Sequence, residues 1–386
     1  MVIGINGYEA VVPRFGFDKE TGLPNRVGSS EFCFQLLTAL SIIDKKNEYF
    51  IYLPTNPASD MPEESKNWHY VVFSGKLWTL LGLSKKLLEN KNNIDVFFSP
   101  THYLPFHTGM PSVVSILDVS YLHFSGLFKK KDLYQLKLWG GYSLRKAKKI
   151  ITISNSSRND IIKEYGVAGE KVIVVYPGIK SEIENSKSEI NSKLKMQNSK
   201  ILKEKFDIKG EYILFVGTLQ PRKNIEKLIE AMSMIKNKNL ELIIIGKKGW
   251  MYEDILNAPA KYEVSDRVKF LDNVNDEDLP GFYKNAVCFV LPSLYEGFGL
   301  PILEAMQYGC PVLASNVSSL PEAGAEAAIY FDPQNSEDIA EKIDKVTSDE
   351  KLRTEMVQKG YEQVKKFSWE KTARETLKVL EELGKK

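Results

Sequence analysis

The sequence predicts an α/β protein with two domains, each built around a parallel sheet. A chain of 386 residues exceeds what one ordinary hydrophobic core holds, since domains of about 150 residues are typical. Short apolar runs, the pattern of buried parallel strands, alternate with longer helical patterns in two successive series. With 43% hydrophobic and 26% charged residues, the composition is that of a globular protein with sizeable cores.

Each series contains six predicted strands. In the first series the strands cover residues 2–6, 49–53, 95–98, 112–117, 149–153 and 171–175. In the second series they cover residues 212–216, 240–245, 268–271, 287–291, 311–314 and 327–331. We therefore place an N-terminal domain at 1–185 and a second domain at 207–368.

The segment between the two series has the composition of a linker. Residues 181–206 are rich in Ser, Asn, Lys and Glu and poor in aromatic residues, which favours a solvated connection or a surface helix. We place the linker at 186–206. The last stretch has helical periodicity after a predicted N-cap at Ser368. A helix over 369–386 can close the second domain or pack back on the first.

Charge and cysteine content exclude several classes of protein. The formal net charge of +2 gives no overall attraction to nucleic acid. Cys33, Cys288 and Cys310 are far apart and lack a CxxC spacing, which argues against a disulfide framework or a structural zinc site. No run approaches the roughly 18 apolar residues of a membrane helix. We expect a cytoplasmic protein, at most peripherally attached to the inner face of a membrane.

The segment LPSLYEGFGLPILEAMQYGCPVLAS, residues 291–315, carries two carboxylates around a glycine-containing loop. Pro301 suits the first position of a helix, which we predict over 301–308. Free N–H groups at such a helix start attract anions, and the loop glycines allow further backbone to approach a ligand. Glu296 and Glu304 would repel a phosphate, so hydroxyl donors of a sugar or a ribose are their expected partners.

A second segment, YILFVGTLQPRKN, provides the opposite charge. Its strand ends at Gly217, and Arg222 and Lys223 follow at the start of the next predicted helix. Paired cations at this position can neutralise a diphosphate, arginine through a bidentate fork and lysine as a point charge. Both segments follow the carboxyl ends of strands, where open α/β sheets bind ligands.

Together these residues resemble the family-four nucleotide-sugar glycosyltransferases. Glu296 and Glu304, in EGFGLPILE, match the E-x7-E signature of that family, and GTLQPRKN is similar to its phosphate-binding segment. ITISNSSRNDIIKEYGV, VVYPGI and FSWEKTA resemble further stretches, so the likeness covers most of the chain. It implies the GT-B fold, in which two Rossmann-like domains face across a cleft.

The resemblance also implies roles for residues of the second domain. Arg222 and Lys223 would bind the donor diphosphate and stabilise the departing nucleoside diphosphate. Many family members have arginine directly after the strand-end glycine, but this chain has Thr218, so Arg222 takes that role, with Lys227 as the alternative. Glu304 would hold the ribose, and Glu296 would contact the donor sugar. The donor-binding residues implied are Gly28 in the first domain and, in the second domain, Gly217, Thr218, Arg222, Lys223, Asn273, Val274, Glu296, Gly297, Phe298, Gly299, Leu300 and Glu304.

The first domain departs from the family pattern at one position. VVSILDVSYLHF resembles a segment that usually contains His-Asp, and Leu117 stands where that histidine is expected. Asp118 remains as a residue that orients acceptor or donor hydroxyls, and His123 is too far along the chain to replace the histidine. The predicted catalytic residues are Arg222, Lys223, Glu296 and Asp118. His102 and His107 follow a predicted strand and are more often structural at such positions.

The implied activity is a retaining transfer of a hexose, mannose or similar, from a GDP- or UDP-sugar to a saccharide or lipid-linked acceptor in polysaccharide or glycoconjugate biosynthesis. We expect no cofactor and no metal, since Asp276, Glu277 and Asp278 fit a helix cap better than a metal-binding Asp-x-Asp. A sugar-nucleotide epimerase, a phosphorylase and a non-catalytic nucleotide-sugar binder remain alternatives. A dinucleotide-dependent dehydrogenase is disfavoured because no G-x-G-x-x-G follows a strand.

A basic, aromatic stretch in the first domain predicts a further contact. Residues 126–150 hold eight Lys or Arg against one Asp, with aromatic residues interleaved. Such a stretch can lie on an anionic membrane or bind an anionic acceptor, although a solvated helix face is the commoner explanation.

Overall fold

The chain folds into two compact units. The computed structural model describes residues 1–12, 16–18, 21–89, 92–127, 130–180, 202, 204–272, 274–275 and 277–384. One unit comprises Met1–Gly178 with Phe367–Lys386, and the other comprises Ile179–Lys366. Most of the predicted linker at 186–206 lies outside the described residues. The last helix could close the second domain or pack back on the first, and the structure shows it packed on the first unit.

The first unit is built on a seven-stranded, all-parallel sheet. Its strands are β1 (Val2–Asn6), β2 (Glu48–Leu53), β3 (Trp68–Val72), β4 (Val96–Ser99), β5 (Ser112–Ser115), β6 (Lys149–Thr152) and β7 (Val172–Val174). The order across the sheet is β3-β2-β1-β4-β5-β6-β7. The central strand β4 is wholly buried, as expected for a parallel sheet covered on both faces.

Helices and single helical turns connect these strands. The α-helices of this unit are Tyr8–Val11, Ser29–Ile43, Leu83–Glu89, Ser120–His123, Lys130–Gln135, Gly141–Lys146, Asn155–Tyr165 and Trp369–Gly384. Trp78–Gly82 and Leu136–Gly140 form π-helical turns, and Ser125–Leu127 and Gly169–Lys171 form 3₁₀ turns.

The last helix, Trp369–Gly384, is fixed to the first unit by specific contacts. Its N-cap prediction is confirmed, because the Lys371 N–H donates to Ser368 Oγ at 3.2 Å. The ring of Trp369 packs edge-on against Phe32, with centroids 5.6 Å apart. Within the described residues, no helix is long and apolar enough to cross a bilayer.

The second unit repeats the architecture with six parallel strands. These are β8 (Tyr212–Val216), β9 (Glu241–Ile245), β10 (Val268–Leu271), β11 (Cys288–Leu291), β12 (Val312–Ser315) and β13 (Ala328–Phe331), in the order β10-β9-β8-β11-β12-β13. Its α-helices are Ile225–Met234, Glu253–Lys261, Leu279–Asn285, Leu300–Gln307, Leu320–Gly324, Ser336–Ser348 and Glu350–Val364, with 3₁₀ turns at Pro221–Lys223 and Ala325–Ala327.

In each sheet the strand that comes first in the sequence lies inside the sheet, and the order of the strands reverses beside it. In the second unit β8 lies between β9 and β11, so the connections leaving β8 and β11 pass to opposite faces of the sheet. Open α/β sheets bind ligands in the crevice that forms at such a switch point, at the carboxyl ends of the strands. The loop after β8 contains Arg222 and Lys223, and the loop after β11 contains Glu296. The topology therefore brings the predicted cations and the first carboxylate to one crevice.

Candidate functional site

The loop after β8 sets the two cations in a rigid turn. Gly217 has φ of 154°, and a 3₁₀ turn then spans Pro221–Lys223 with proline at its start. Asn224 follows in the left-handed conformation, with φ of 56°. Its side-chain amide donates to the carbonyls of Pro292 at 3.0 Å and Pro333 at 2.7 Å. These bonds tie the cation-bearing turn to the loops that follow β11 and β13.

Glu296 binds both cations directly. Its Oε1 accepts from Lys223 Nζ at 2.6 Å and its Oε2 accepts from Arg222 Nη1 at 3.0 Å. Ser293 Oγ donates to Oε1 at 2.6 Å. Arg222 also donates to the carbonyl of Tyr295. Glu296 and Lys223 are each 8% exposed, so the ion pair lies largely out of water.

The charge state of the group follows from this geometry. Burial alone would raise the pKa of Glu296, but the positive charges of Lys223 and Arg222 and the hydrogen bonds to Glu296 outweigh burial and lower that pKa to about 2. The carboxylate is therefore ionised at neutral pH. Two cations against one anion leave a net positive charge at the crevice, which suits an anionic ligand such as a diphosphate.

Two serines hold the Glu296 peptide from both sides. The Glu296 N–H donates to Ser318 Oγ at 3.0 Å, and Ser319 Oγ donates to the Glu296 carbonyl at 2.8 Å. Ser319 is fully buried, and Ser318 has φ of 51°, which is uncommon for a residue with a side chain. We call Ser318 and Ser319, which lie in the loop after β12, the serine clamp. The clamp fixes the position of Glu296 through its main chain.

The helix Leu300–Gln307 begins one residue before the predicted start and carries Glu304 in its second turn. Gly299 precedes it with φ of 103°, and a Cβ there would lie 2.7 Å from Leu320 Cδ2, so only glycine fits. Glu304 Oε2 accepts from the hydroxyl of Tyr283 at 3.2 Å. Burial, together with the negative charge of Glu304, holds the pKa of Tyr283 well above its usual value. Tyr283 thus remains a hydrogen-bond donor that orients Glu304.

The other predicted donor residues of this unit are placed as follows. Gly297 and Phe298 are buried with Glu296 in the loop after β11, and Phe298, at 2% exposure, can offer a ligand only its backbone. Leu300 and Thr218 are partly buried. Thr218, which follows β8, lies beside Gly249, which belongs to the loop after β9. Val274 is partly buried, whereas Asn273 lies outside the described residues.

Two of the predicted residues, Gly28 and Asp118, lie in the first unit. Gly28, with φ of 56°, starts the helix Ser29–Ile43. Nearby, the guanidinium of Arg26 binds both carboxylate oxygens of Asp60, which anchors the loop. Asp118 accepts the Ser120 N–H at 2.8 Å, and Leu117 is buried. The catalytic role of Asp118 stays a prediction.

Two of the histidines and Asp278 of the acidic triplet have structural partners. His123 Nε2 lies 3.4 Å from Asp160, and His107 donates its backbone N–H to Ser84. Asp278 sits at the start of the helix Leu279–Asn285 but makes no side-chain cap hydrogen bond, so that detail of the cap prediction is wrong. Instead its carboxylate binds Lys205 Nζ at 2.7 Å. Asp276 lies outside the described residues.

The residues that support the site were not predicted from the sequence. Asn224, Tyr283, Ser293 and the serine clamp each hold a predicted residue in place. The direct pairing of Glu296 with the cations was also missed, because we assigned the carboxylate and the cations to different parts of a ligand. The only signal available was the small polar residues in LPS and NVSSLPE, at the ends of two strands.

Comparison with known proteins places the chain in a family. Residues 46–182 match the family model described as Glycosyltransferase Family 4, and residues 197–363 match the model described as Glycosyl transferases group 1. O-antigen chain mannosyltransferase B of Escherichia coli is 32% identical over 287 residues, which cover 73% of each chain. Serotype-specific mannosyltransferase WbdA of Escherichia coli is 32% identical over 63% of this chain but only 29% of its own length.

The fold comparison agrees with the sequence comparison. Sucrose-phosphate synthase from Thermosynechococcus elongatus superposes with a TM-score of 0.71 at 18% identity, over 99% of both chains. This likeness supports the GT-B fold with two Rossmann-like domains, which the two parallel sheets already showed. The chain therefore belongs to the family-four, group 1 glycosyltransferases and is an enzyme of that class.

Proposed function

We propose that this glycosyltransferase moves a hexose, mannose or similar, from a GDP- or UDP-sugar to a saccharide or lipid-linked acceptor, with retention of configuration, in polysaccharide or glycoconjugate biosynthesis. The observation that carries the proposal is the buried grouping of Arg222 and Lys223 on Glu296 at the switch point of the second sheet. The mannosyltransferase name of the relative that is 32% identical supports the choice of sugar.

The donor diphosphate would bind at the two cations. Their side chains keep 17% and 11% of their surface exposed, so each can reach a ligand from the crevice while remaining bound to Glu296. Fixed positive charge is what a departing nucleoside diphosphate requires, and in a site with little water it acts strongly. The same two side chains would thus bind the donor diphosphate and stabilise the departing nucleoside diphosphate.

The acidic residues would contact the two ends of the donor. Glu296 binds and orients Arg222 and Lys223. In this proposal the remaining lone pairs of its carboxylate accept hydrogen bonds from donor-sugar hydroxyls. Glu304, oriented by Tyr283, accepts from the ribose hydroxyls. In this arrangement the cations lie between Glu296 and the phosphates, so neither carboxylate faces the phosphates directly.

The transfer itself needs no separate base in this scheme. The bond from the sugar carbon to the leaving phosphate oxygen breaks as the acceptor oxygen bonds to that carbon on the same face. The acceptor proton moves to the leaving phosphate, whose growing negative charge Arg222 and Lys223 stabilise. The absence of a histidine at Leu117 is compatible with such a course. We also propose that the reaction requires no metal ion, so EDTA should leave the rate unchanged.

Incubation of the protein with radiolabelled GDP-mannose, GDP-glucose, UDP-glucose and UDP-galactose tests the proposal. We expect slow hydrolysis of one donor, and the anomer first released should match the donor's α or β configuration. Binding without turnover would indicate a non-catalytic binder, and interconversion of two sugars would indicate an epimerase. Release of the opposite anomer would contradict retention while leaving the transferase assignment intact.

A lipid-linked acceptor would place this reaction at a membrane surface. The predicted contact through residues 126–150 therefore forms part of the proposal, with the enzyme bound peripherally at the inner face of an anionic membrane. The alternative is a soluble saccharide acceptor, for which no membrane contact is needed. Vesicle binding distinguishes the two cases.

A further inference from the structure

The first sheet has a switch point of its own, beside β1. This strand lies between β2 and β4, so the loops after β1 and β4 lie side by side at the carboxyl edge of the sheet. Parallel sheets bind ligands in the crevice that forms at such an edge. The loop after β4 contains His102 and Tyr103, and the loop after the neighbouring strand β5 contains Asp118. All three of these residues are partly exposed.

A buried polar network shapes the loop after β4. The side-chain amide of Asn6, the last residue of β1, donates to Ser99 Oγ at 3.0 Å. Ser99 Oγ lies 3.1 Å from the Thr101 carbonyl oxygen and 2.8 Å from that of Tyr103, and its hydroxyl can donate to either. The Tyr103 N–H donates to the Thr101 carbonyl at 2.6 Å, which closes a three-residue turn around His102. Asn6 is 3% exposed and Ser99 is fully buried, so this turn is fixed from the core.

His102, at the centre of this turn, has an unfavourable backbone conformation. Its φ is 29°, below the range of about 50–70° that is usual for left-handed residues with side chains. Glycine would adopt such a conformation at little cost. Strain of this kind persists where the surrounding structure imposes it, and it clusters at positions that bind ligands. A histidine at a position that favours glycine therefore points to a use for its partly exposed imidazole.

Aromatic rings and a carboxylate lie close to this position. The centre of the His102 ring is 5.9 Å from that of Tyr103, and the Tyr103 ring packs edge-on against Trp139, with centroids 6.0 Å apart. Burial above all raises the pKa of Tyr121, and the electrostatic effects of Asp118 and Tyr103 add to the rise. Both residues therefore lie near the Tyr121 hydroxyl. The loops after β4 and β5 thus bring His102, Tyr103 and Asp118 to one part of the crevice.

These three side chains suit the binding of a sugar. An aromatic ring packs against the apolar C–H face of a sugar ring, and a few polar groups beside it fix the orientation of the ligand. The Ser120 N–H donates to Asp118 Oδ1 at 2.8 Å, which orients the carboxylate, and the negative charge of Asp118 disfavours an anionic ligand. On the basis of the proposed function, we propose that His102, Tyr103 and Asp118 bind a sugar of the acceptor. The imidazole N–H donates to one acceptor hydroxyl, and the carboxylate accepts from another.

Saturation-transfer NMR tests this acceptor subsite. The parent protein is screened against disaccharides and trisaccharides of mannose, glucose and galactose, and the Kd of the best ligand is then measured for each variant. We expect His102→Gly, which suits the turn but removes the imidazole, to bind that ligand at least about fivefold more weakly. His102→Asn keeps an N–H donor and tolerates a positive φ, so it should bind within about threefold of the parent.

The matched control is His107→Gly, at an exposed histidine of the same loop. Glycine keeps the bond from the backbone N–H of residue 107 to Ser84, so this variant should bind the saccharide like the parent. Melting temperature separates a binding role of His102 from a structural one. His102→Gly should melt no lower than the parent, because glycine relieves the strained φ, whereas replacing a histidine that stabilised the fold would lower the melting temperature.

Three results would overturn the acceptor subsite: equal saccharide binding by the parent and His102→Gly, a lower melting temperature for His102→Gly, and no saccharide binding by the parent. Failure of the proposed function gives a different result, because donor hydrolysis by the parent tests that function without any acceptor. A parent that hydrolyses no nucleotide sugar but binds a saccharide through His102 would contradict the proposed function alone. A parent that hydrolyses a donor and binds saccharides as well as His102→Gly does would contradict the subsite alone.

Discussion

Lys223 Nζ and Glu296 Oε1 lie 2.6 Å apart, and each residue is less than one-tenth exposed. A buried ion pair of this kind adds little net stability by itself, but removal of one partner leaves an uncompensated charge. We therefore infer that the pair matters for the position in which it holds Lys223 and Arg222, rather than for stability.

The stability of the protein should depend on the ionisation of Glu296. Its pKa falls from an ordinary 4.5 to about 2 on folding, so the contribution to stability is complete above the ordinary pKa and is lost as pH falls towards 2. The shift corresponds to about 3 kcal/mol. Urea unfolding at several pH values between 5 and 2.5 should show a steeper loss for the parent than for Glu296→Gln.

The Glu296→Gln variant should also be less stable at neutral pH, by about 3 kcal/mol, because two buried cations lose their counter-charge. Glu326→Gln removes the same charge from an exposed position in the 3₁₀ turn Ala325–Ala327 and serves as the control. Parallel pH curves for Glu296→Gln and the parent would show that Glu296 is not the titrating group.

The two cations should carry most of the transition-state stabilisation. We expect Lys223→Met and Arg222→Gln each to lower kcat by about 100-fold or more, since a fixed charge on a leaving group typically contributes that much. Lys227 pairs with Glu230 at 2.7 Å on the following helix, so Lys227→Met should lose little activity. Steady-state transfer kinetics separate these cases. A large loss of kcat with Lys227→Met and a small loss with Arg222→Gln would assign the role of Arg222 to Lys227 instead.

The serine clamp should affect the chemical step through Glu296. Ser319→Ala removes the donor to the buried Glu296 carbonyl, which should lower stability by about 1–3 kcal/mol and reduce kcat more than it changes KM for the donor. The matched control is Ser348→Ala, at an exposed helix end where the hydroxyl bonds only its own helix. If Ser319→Ala lost stability but kept kcat, the clamp would be structural only.

Glu304 should distinguish nucleotides from bare phosphates. If it binds the ribose, Glu304→Gln should weaken GDP or UDP binding by about tenfold or more and leave pyrophosphate binding unchanged. Tyr283→Phe should have the same selectivity with a smaller effect, since Tyr283 acts by orienting Glu304. Competition of these ligands against the labelled donor measures both. Equal weakening of nucleotide and pyrophosphate would place Glu304 at the phosphates instead.

Much of the fold could be predicted from sequence because buried parallel strands are continuous apolar runs. Twelve of the thirteen described strands correspond to predicted runs, and β1, β8 and β10 match at both ends. The missed strand, β3, lies at the edge of its sheet and is half-exposed, so WHYVV lacks the apolar run of a central strand. The unit to which the last helix belongs could not be predicted, since amphipathicity does not name the surface that a helix covers.

The site was predictable only where residue type and strand-end position were sufficient. Cations after β8 and carboxylates after β11 follow from the phosphate and hydroxyl chemistry of the crevice. The supporting residues depend on contacts between loops: Ser318 lies 22 residues from Glu296, and Asn224 bridges two other loops. Sequence patterns give no distances of this kind, so the pairing of Glu296 with Lys223 needed the structure.

Calorimetric titration of GDP and UDP into the parent protein, Lys223→Met and Lys238→Met tests the central claim most directly. Lys238 is exposed and its Nζ donates to the Ser233 carbonyl, so Lys238→Met makes the same charge change away from the crevice. We expect one nucleotide to bind the parent and Lys238→Met equally and to bind Lys223→Met at least about tenfold more weakly. Binding of neither nucleotide to the parent, or equal binding to all three proteins, would contradict the assignment of Lys223 and Arg222 to the donor diphosphate.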